Sequence, residues 1–117
     1  MTESEVYEKF VKPTCRDNKI YVQRFEHLSV PDVYMSKNNS VLWGELKVCE
    51  RSRGLIKPDW RPGQLAWIRR QASYGNKNVC LILWYDGEVY WLLPQEHYKP
   101  EEVVCQKNWY LETWLSS

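Results

Sequence analysis

The segment Pro31–Lys47 constrains this chain more than any other. Its centre, Lys37-Asn38-Asn39-Ser40, has turn chemistry, because Asn tolerates the left-handed backbone of tight hairpins. Runs of β-favouring residues flank it on both sides. Folding the hairpin about Asn38-Asn39 sets Asp32 opposite Glu45. Side chains on a strand repeat with period two, so Lys47 emerges on the same face as Glu45. Asp32, Tyr34, Val41, Trp43, Glu45 and Lys47 then share one face, and Val33, Met35, Leu42, Gly44 and Leu46 the other. Both faces are apolar away from the charges, which predicts a central hairpin covered on both sides.

Two carboxylates directly opposite each other destabilise a ladder. A divalent cation between them removes the repulsion. Mg²⁺ suits such a site, since it takes one or two carboxylates, several waters and a substrate phosphate. It would promote attack by water and neutralise charge developing on phosphorus. A neighbouring Lys would orient the water or stabilise that charge. The same three residues also fit a plain surface charge cluster, which does no chemistry and contributes little to stability.

Pro31-Asp32, followed on the next strand by Glu45-Leu46-Lys47, resembles the signature of the PD-(D/E)XK nuclease superfamily. Ser4-Glu5-Val6 lies on an expected N-terminal helix, and Val30-Pro31-Asp32-Val33 leads into the first motif. Pro62-Gly63-Gln64-Leu65-Ala66-Trp67-Ile68 opens a later helix, with Gly75 and an apolar strand after it. This order is similar to the VRR-NUC (virus-type replication-repair nuclease) branch and to phage-type Holliday-junction resolvases, over roughly residues 2 to 85. Ser29 departs from the pattern, where that branch usually has Gly.

The resemblance implies an α/β fold: a restriction-endonuclease-like sandwich with a central mixed β-sheet flanked by helices in an αβββαβ core. It implies a Mg²⁺-dependent DNA endonuclease, with Mn²⁺ able to substitute. Asp32, Glu45 and the backbone carbonyl of Leu46 would ligate the metal, Lys47 would act on the water, and Gln64 would assist. A Glu on the N-terminal helix would complete the metal site. Glu5 matches that position best, Glu8 one turn on is the alternative, and Glu3 sits at the fraying end. Glu5 also fits a plainer role, as the partner of Thr2 in a capping box. Expected partners are DNA, branched DNA included, and a second copy of the chain, since symmetric junction cleavage needs two sites. Other substrate choices (nicking, flap-cutting, exonucleolytic) and a non-catalytic DNA-binding domain are the competing readings.

The rest of the chain reads in order as follows. Residues 3–12 predict a helix ended by Pro13, and Cys15–Lys19 a polar loop. Ile20–Phe25 predicts a strand, and 26–29 a connection carrying His27, a solvated residue or a substrate contact. The loop 50–61 holds Arg51, Arg53, Lys57 and Arg61, which would contact phosphates or simply be solvated. A helix is predicted from Pro62 to Tyr74, stopped by Gly75. Val79–Tyr85 predicts a buried strand, and Asp86-Gly87 a two-residue turn into a last strand ending at Pro94. Two short helices, near 100–105 and 108–115, close the chain with aromatics that would cover the sheet or face a partner.

With 117 residues, a single domain over 1–117 is expected. The formal net charge is +1, so any DNA surface must come from local clustering. The 7 Trp and 8 Tyr suit a core, an interface or base stacking equally. Cys15, Cys49, Cys80 and Cys105 lack the spacing of a zinc or iron–sulfur site, which predicts a reducing, cytoplasmic setting. No apolar run approaches the ~20 residues of a membrane span.

Overall fold

The computed structural model describes residues 1–25, 31–106 and 109–116. Expectations for His27, Ser29 and the 26–30 connection fall outside those residues.

The expected hairpin forms with the expected register. Strand β2 (Val33–Lys37) pairs antiparallel with β3 (Ser40–Cys49), setting Val33 against Gly44 and Tyr34 against Trp43. Asn38 and Asn39 take positive φ at the turn, as Asn permits. β1 (Tyr21–Arg24) adds to β2 antiparallel. β4 (Val79–Tyr85) lies parallel to β3, and β5 (Glu88–Leu92) returns antiparallel after Asp86-Gly87. The result is a mixed five-stranded sheet in the order β1-β2-β3-β4-β5, with β3 in the middle.

One face of the sheet is closed by the N-terminal helical segment and by the chain's last helix. The first part runs through α1 (Glu3–Val6), a π-turn (Tyr7–Val11) and α2 (Lys12–Asp17). Pro13 does not end this helix, contrary to expectation. A proline in mid-helix collides with the carbonyl four residues back. Here the preceding turn is widened, with the Lys12 N–H reaching the Tyr7 carbonyl, and Pro13 falls in the first turn of α2. Cys15 is therefore buried on a helix instead of lying in a polar loop, and burial pushes its thiol up to about 12. Val6, Val11 and Cys15 pack on Val33, Met35, Leu42, Leu46 and Ile82. All four cysteines are free.

α5 (Trp109–Leu115) completes this layer, burying Leu111 in the same core. Its aromatics anchor on the sheet's loops: the Trp114 indole donates to Ser40 Oγ at 2.9 Å, and the Tyr110 hydroxyl to the Lys77 carbonyl at 2.8 Å. The tail thus covers the sheet. On the opposite face, Leu81, Leu83, Tyr85, Tyr90 and Leu92 of β4 and β5 pack under Ile56, Tyr98 and Val103. Ile56 comes from the 50–61 loop, Tyr98 from the segment between β5 and α4, and Val103 from α4 (Pro100–Cys105). A two-way backbone bridge between Ile56 and Tyr98 ties that loop down. α3 (Gln64–Ser73) lies over β3 on this face, its Trp67 against Trp43. Among the described residues, no helix is long and apolar enough to cross a membrane.

Candidate active site

β2 begins only at Val33, one residue after Asp32, and pairs Val33 with Gly44, while β3 continues beyond that point to Cys49. The longer strand therefore exposes an unpaired flank where its partner stops. Asp32 folds back onto that flank, and its Oδ2 accepts the Leu46 N–H at 3.2 Å. A strand residue directs its N–H and C=O towards the same neighbour, so the Leu46 carbonyl lies on this flank too. Its side chain points the other way and is fully buried in the core.

Glu45 and Lys47 project from β3 on the opposite face to the Leu46 side chain, and both are nearly inaccessible, at 2% and 5%. Burying a carboxylate and an ammonium requires that each be paired. Gln64, the first residue of α3, supplies most of the pairing. Its Nε2 donates to Glu45 Oε1 at 2.6 Å, and its Oε1 accepts from Lys47 Nζ at 2.9 Å and from the Arg61 N–H at 2.7 Å. This fixes the amide's orientation, since the reverse would set its NH₂ against an ammonium and its oxygen against a carboxylate. Gly63 makes the placement possible by taking φ 89° just before α3, a backbone that a side chain resists.

The Lys47 ammonium also donates to the Asp59 carbonyl at 2.6 Å, lies 5.4 Å from the centre of the Trp60 ring and is 3.6 Å from Glu45 Oε1. Trp60 is itself held by its indole N–H on the Gln95 carbonyl. The loop after β3 thus positions Lys47. Nothing in the sequence spacing marks Asp59 and Trp60 for that role.

These residues open onto a cleft of about 320 Å³, which Asp32, Glu45, Lys47 and Gln64 share with Glu3, Arg24, Phe25 and Arg61. Burial pushes the Glu45 carboxyl well above the ordinary carboxylate range, and the negative charge of Asp32 pushes it further, against the pull of Lys47. Glu3 is raised as well, by partial burial and then by Asp32. Burial and mutual repulsion therefore both act against full ionisation of the cleft's carboxyls.

The N-terminal helix contributes Glu3 to this cleft, not Glu5. Glu5 is half-exposed and occupied elsewhere. Its carboxylate accepts the Thr2 N–H at 3.1 Å while its own N–H donates to Thr2 Oγ1, a complete capping box, and it pairs with Lys9. Glu8 is exposed and paired with Lys12. Of the basic loop residues, only Arg61 reaches the cleft; Arg51, Arg53 and Lys57 are exposed and stand apart from it. Arg24 on β1 was not singled out by the sequence. Its guanidinium lines the cleft, donates to Ser4 Oγ at 2.7 Å and lies over the Tyr7 ring.

Among the described residues, no three His, Cys, Asp or Glu side chains converge tightly enough to hold a metal by themselves. That excludes a closed, all-side-chain cage here. It is compatible with Mg²⁺, which takes one or two carboxylates and fills its shell with carbonyl, water and phosphate oxygens.

No model of a known protein family matches the chain, and no curated protein does either. A solved structure does. Hjc of Archaeoglobus fulgidus, a Holliday junction resolvase from an archaeal hyperthermophile, superposes with a TM-score of 0.62, covering 89% of each chain at 8% sequence identity. The mixed five-stranded sheet with its flanking helices has the fold of that nuclease.

Proposed function

We propose that this protein is a divalent-metal-dependent nuclease that hydrolyses phosphodiester bonds in branched DNA. One observation carries the reading: Asp32, Glu45, Lys47 and Gln64 meet in one cleft at the end of the β2–β3 hairpin, on the fold of a resolvase. The arrangement of Pro31-Asp32, Glu45-Leu46-Lys47 and Gln64 along the chain supports the VRR-NUC and phage-resolvase branch of the PD-(D/E)XK nucleases.

Asp32, Glu45 and the Leu46 carbonyl would hold Mg²⁺ or Mn²⁺, with Glu3 in place of Glu5 as the carboxylate at the cleft's rim. The bound ion supplies positive charge for the phosphate and lowers the pKa of water beside it. The chain's own groups do the rest. Lys47, held by Asp59, Gln64 and Trp60, presents a fixed ammonium to the charge that grows on the phosphate oxygens as water adds and an ester P–O bond breaks. Gln64 keeps Glu45 and Lys47 in position without changing the net charge. Arg24 and Arg61 contact the entering phosphate and fix the strand's register. Both strands of a junction are cut when two copies present their clefts together, which makes a homodimer the working form.

The test uses a four-way junction and a supercoiled plasmid, each with and without Mg²⁺ or Mn²⁺, alongside Asp32→Ala. Metal-dependent cutting of the junction in preference to the plasmid is expected, with none from the variant. Both DNAs left intact by wild type would make this a binding module. Undiminished cutting by Asp32→Ala would remove the site.

A further inference from the structure

The sheet face that carries Glu45 and Lys47 is covered over β4 and β5, and by α3 over β3. Over β1 and β2 its aromatic rings stand at the surface. Register places Tyr21, Tyr34 and Trp43 on this face, with Gln23 opposite Tyr34 and Tyr34 opposite Trp43. The rings are contiguous: Tyr21 to Tyr34 at 6.2 Å, Tyr34 to Trp43 at 5.2 Å, and Trp43 to Trp67 at 6.3 Å between centres. Phe25 packs on Trp43 at 6.2 Å and also lines the cleft, so the strip runs directly out of the candidate active site. Tyr21 at 59% and Phe25 at 38% are exposed large hydrophobic residues.

The strip's far end is cationic. Tyr21 and Tyr34 border a hollow of about 590 Å³ together with Lys19 and Lys37, and among the described residues no carboxylate lines it. Lys37 is fixed there by donating to the Asn18 carbonyl at 2.6 Å. Five residue steps lead from Asp32 to Lys37, roughly 16 Å at about 3.3 Å each. That span accommodates two or three bases, the number that sheet-borne aromatics stack in RNA-recognition modules.

We infer that this open face binds unpaired nucleobases of the strand whose phosphate enters the cleft, with Lys19 and Lys37 taking the backbone at the distal end. The inference rests on the proposed nuclease reading and narrows its substrate to branched DNA whose bases beside the scissile phosphate are unpaired, as they become where a branch point opens. Flat apolar rings strung on a polyanion match an aromatic strip that begins at a phosphate-sized cleft and ends at two lysines. Stacking of this kind tolerates any base, so it selects for unpaired structure and not for sequence.

The full-length protein, in EDTA to prevent cleavage, is titrated with a labelled oligothymidylate and with a sugar–phosphate chain of equal length lacking bases. The base-bearing strand is expected to bind roughly 5-fold or more tightly, and to change the emission of the tryptophans where the abasic chain does not. Tyr21→Ala lowers affinity for oligothymidylate by roughly 5-fold and leaves the abasic chain unaffected, while Tyr21→Phe restores wild-type behaviour. Equal affinity for the two strands overturns the inference, as does a base preference that survives Tyr21→Ala intact. A Tyr21→Ala variant that sediments as a smaller species while binding both strands as before assigns the strip to contact between copies, and overturns it too. Metal-dependent junction cleavage is scored separately. Cleavage without base preference sinks the platform alone, whereas base preference without cleavage of any substrate sinks the nuclease reading and leaves the platform standing.

Discussion

Replacing Glu45 by Gln should make the metal-free protein more stable while abolishing its chemistry. Glu45 is almost fully buried, faces the charge of Asp32, and has only Lys47, 3.6 Å away, as a compensating charge. Glutamine keeps the side chain's shape and the oxygen that accepts from Gln64 Nε2. It removes the cost of holding a second carboxylate in that place, and loses the attraction to Lys47. Each tenfold displacement of an ionisation equilibrium corresponds to about 1.4 kcal/mol. The net gain near neutral pH is about 1–3 kcal/mol, the upper figure applying if the whole ionisation penalty is relieved. For a chain of this size that raises Tm by roughly 4–12 °C. The pH dependence gives the sign. A carboxyl raised on folding contributes stability below its unfolded value and loses it as pH climbs through the raised folded value. Wild type should therefore weaken between about pH 4.5 and mildly alkaline pH, and Glu45→Gln should weaken less. The two melting curves in EDTA converge at acid pH and separate at pH 8. Added Mn²⁺ raises wild type and not the variant, closing the gap. A variant less stable than wild type at pH 8 without metal would mean that Glu45 is comfortably paired with Lys47, and the argument for a cation at this spot would fail.

Glu3→Gln should slow metal-dependent cleavage and weaken Mn²⁺ binding by calorimetry, while Glu5→Ala lowers Tm slightly through the lost cap and leaves cleavage unchanged; the opposite pattern would restore Glu5 to the site. Lys47→Met strands Glu45 without its countercharge, so a loss of about 3–5 kcal/mol in EDTA is expected from urea unfolding, with part recovered on adding Mn²⁺. Gly44→Ala sets a methyl 2.5 Å from Ile82 Cδ1 and 3.1 Å from Met35 Cε, for a cost of about 1–3 kcal/mol. Ile82→Val in the same chain should return part of it, and strict additivity of the two changes would show that the crowding is not there.

The hairpin was legible because three local signals agree on it. Asn38-Asn39 sets the turn, the period of two sets the faces, and opposed carboxylates mark the end where something besides a ladder must form. The buried strand β4 and its Asp86-Gly87 turn were legible for the same reason. What local patterns do not contain is the spatial meeting of distant segments. Asp59 and Trp60 look like ordinary loop residues until Gln64 of α3 and the Gln95 carbonyl beyond β5 pin the loop over Lys47. Arg24 reads as one polar position in an alternating strand, and only the docking of α1 against β1 brings Ser4 and the cleft to it. Pro13 misleads because its usual effect assumes a regular helix before it, and the widened turn at Tyr7–Val11 removes that assumption.

The carboxylate that the N-terminal helix turns into the cleft is a different matter, since the sequence held enough to name it. A capping box commits the third-residue Glu to the N-cap's own N–H, so its carboxylate turns back over the helix end. The group that caps cannot at the same time project into a cleft. Successive helical residues are about 100° apart, which puts Glu3 roughly 200° from Glu5, on the far side of the same turn. Once Thr2 and Glu5 were read as a cap, Glu8, one turn on and on nearly the same face as Glu5, went with it, and Glu3 was the acidic residue left to face the sheet. Its position at the first turn, which argued for fraying, is what sets it over the end of β2, where the cap and the Arg24–Ser4 hydrogen bond hold the turn in place.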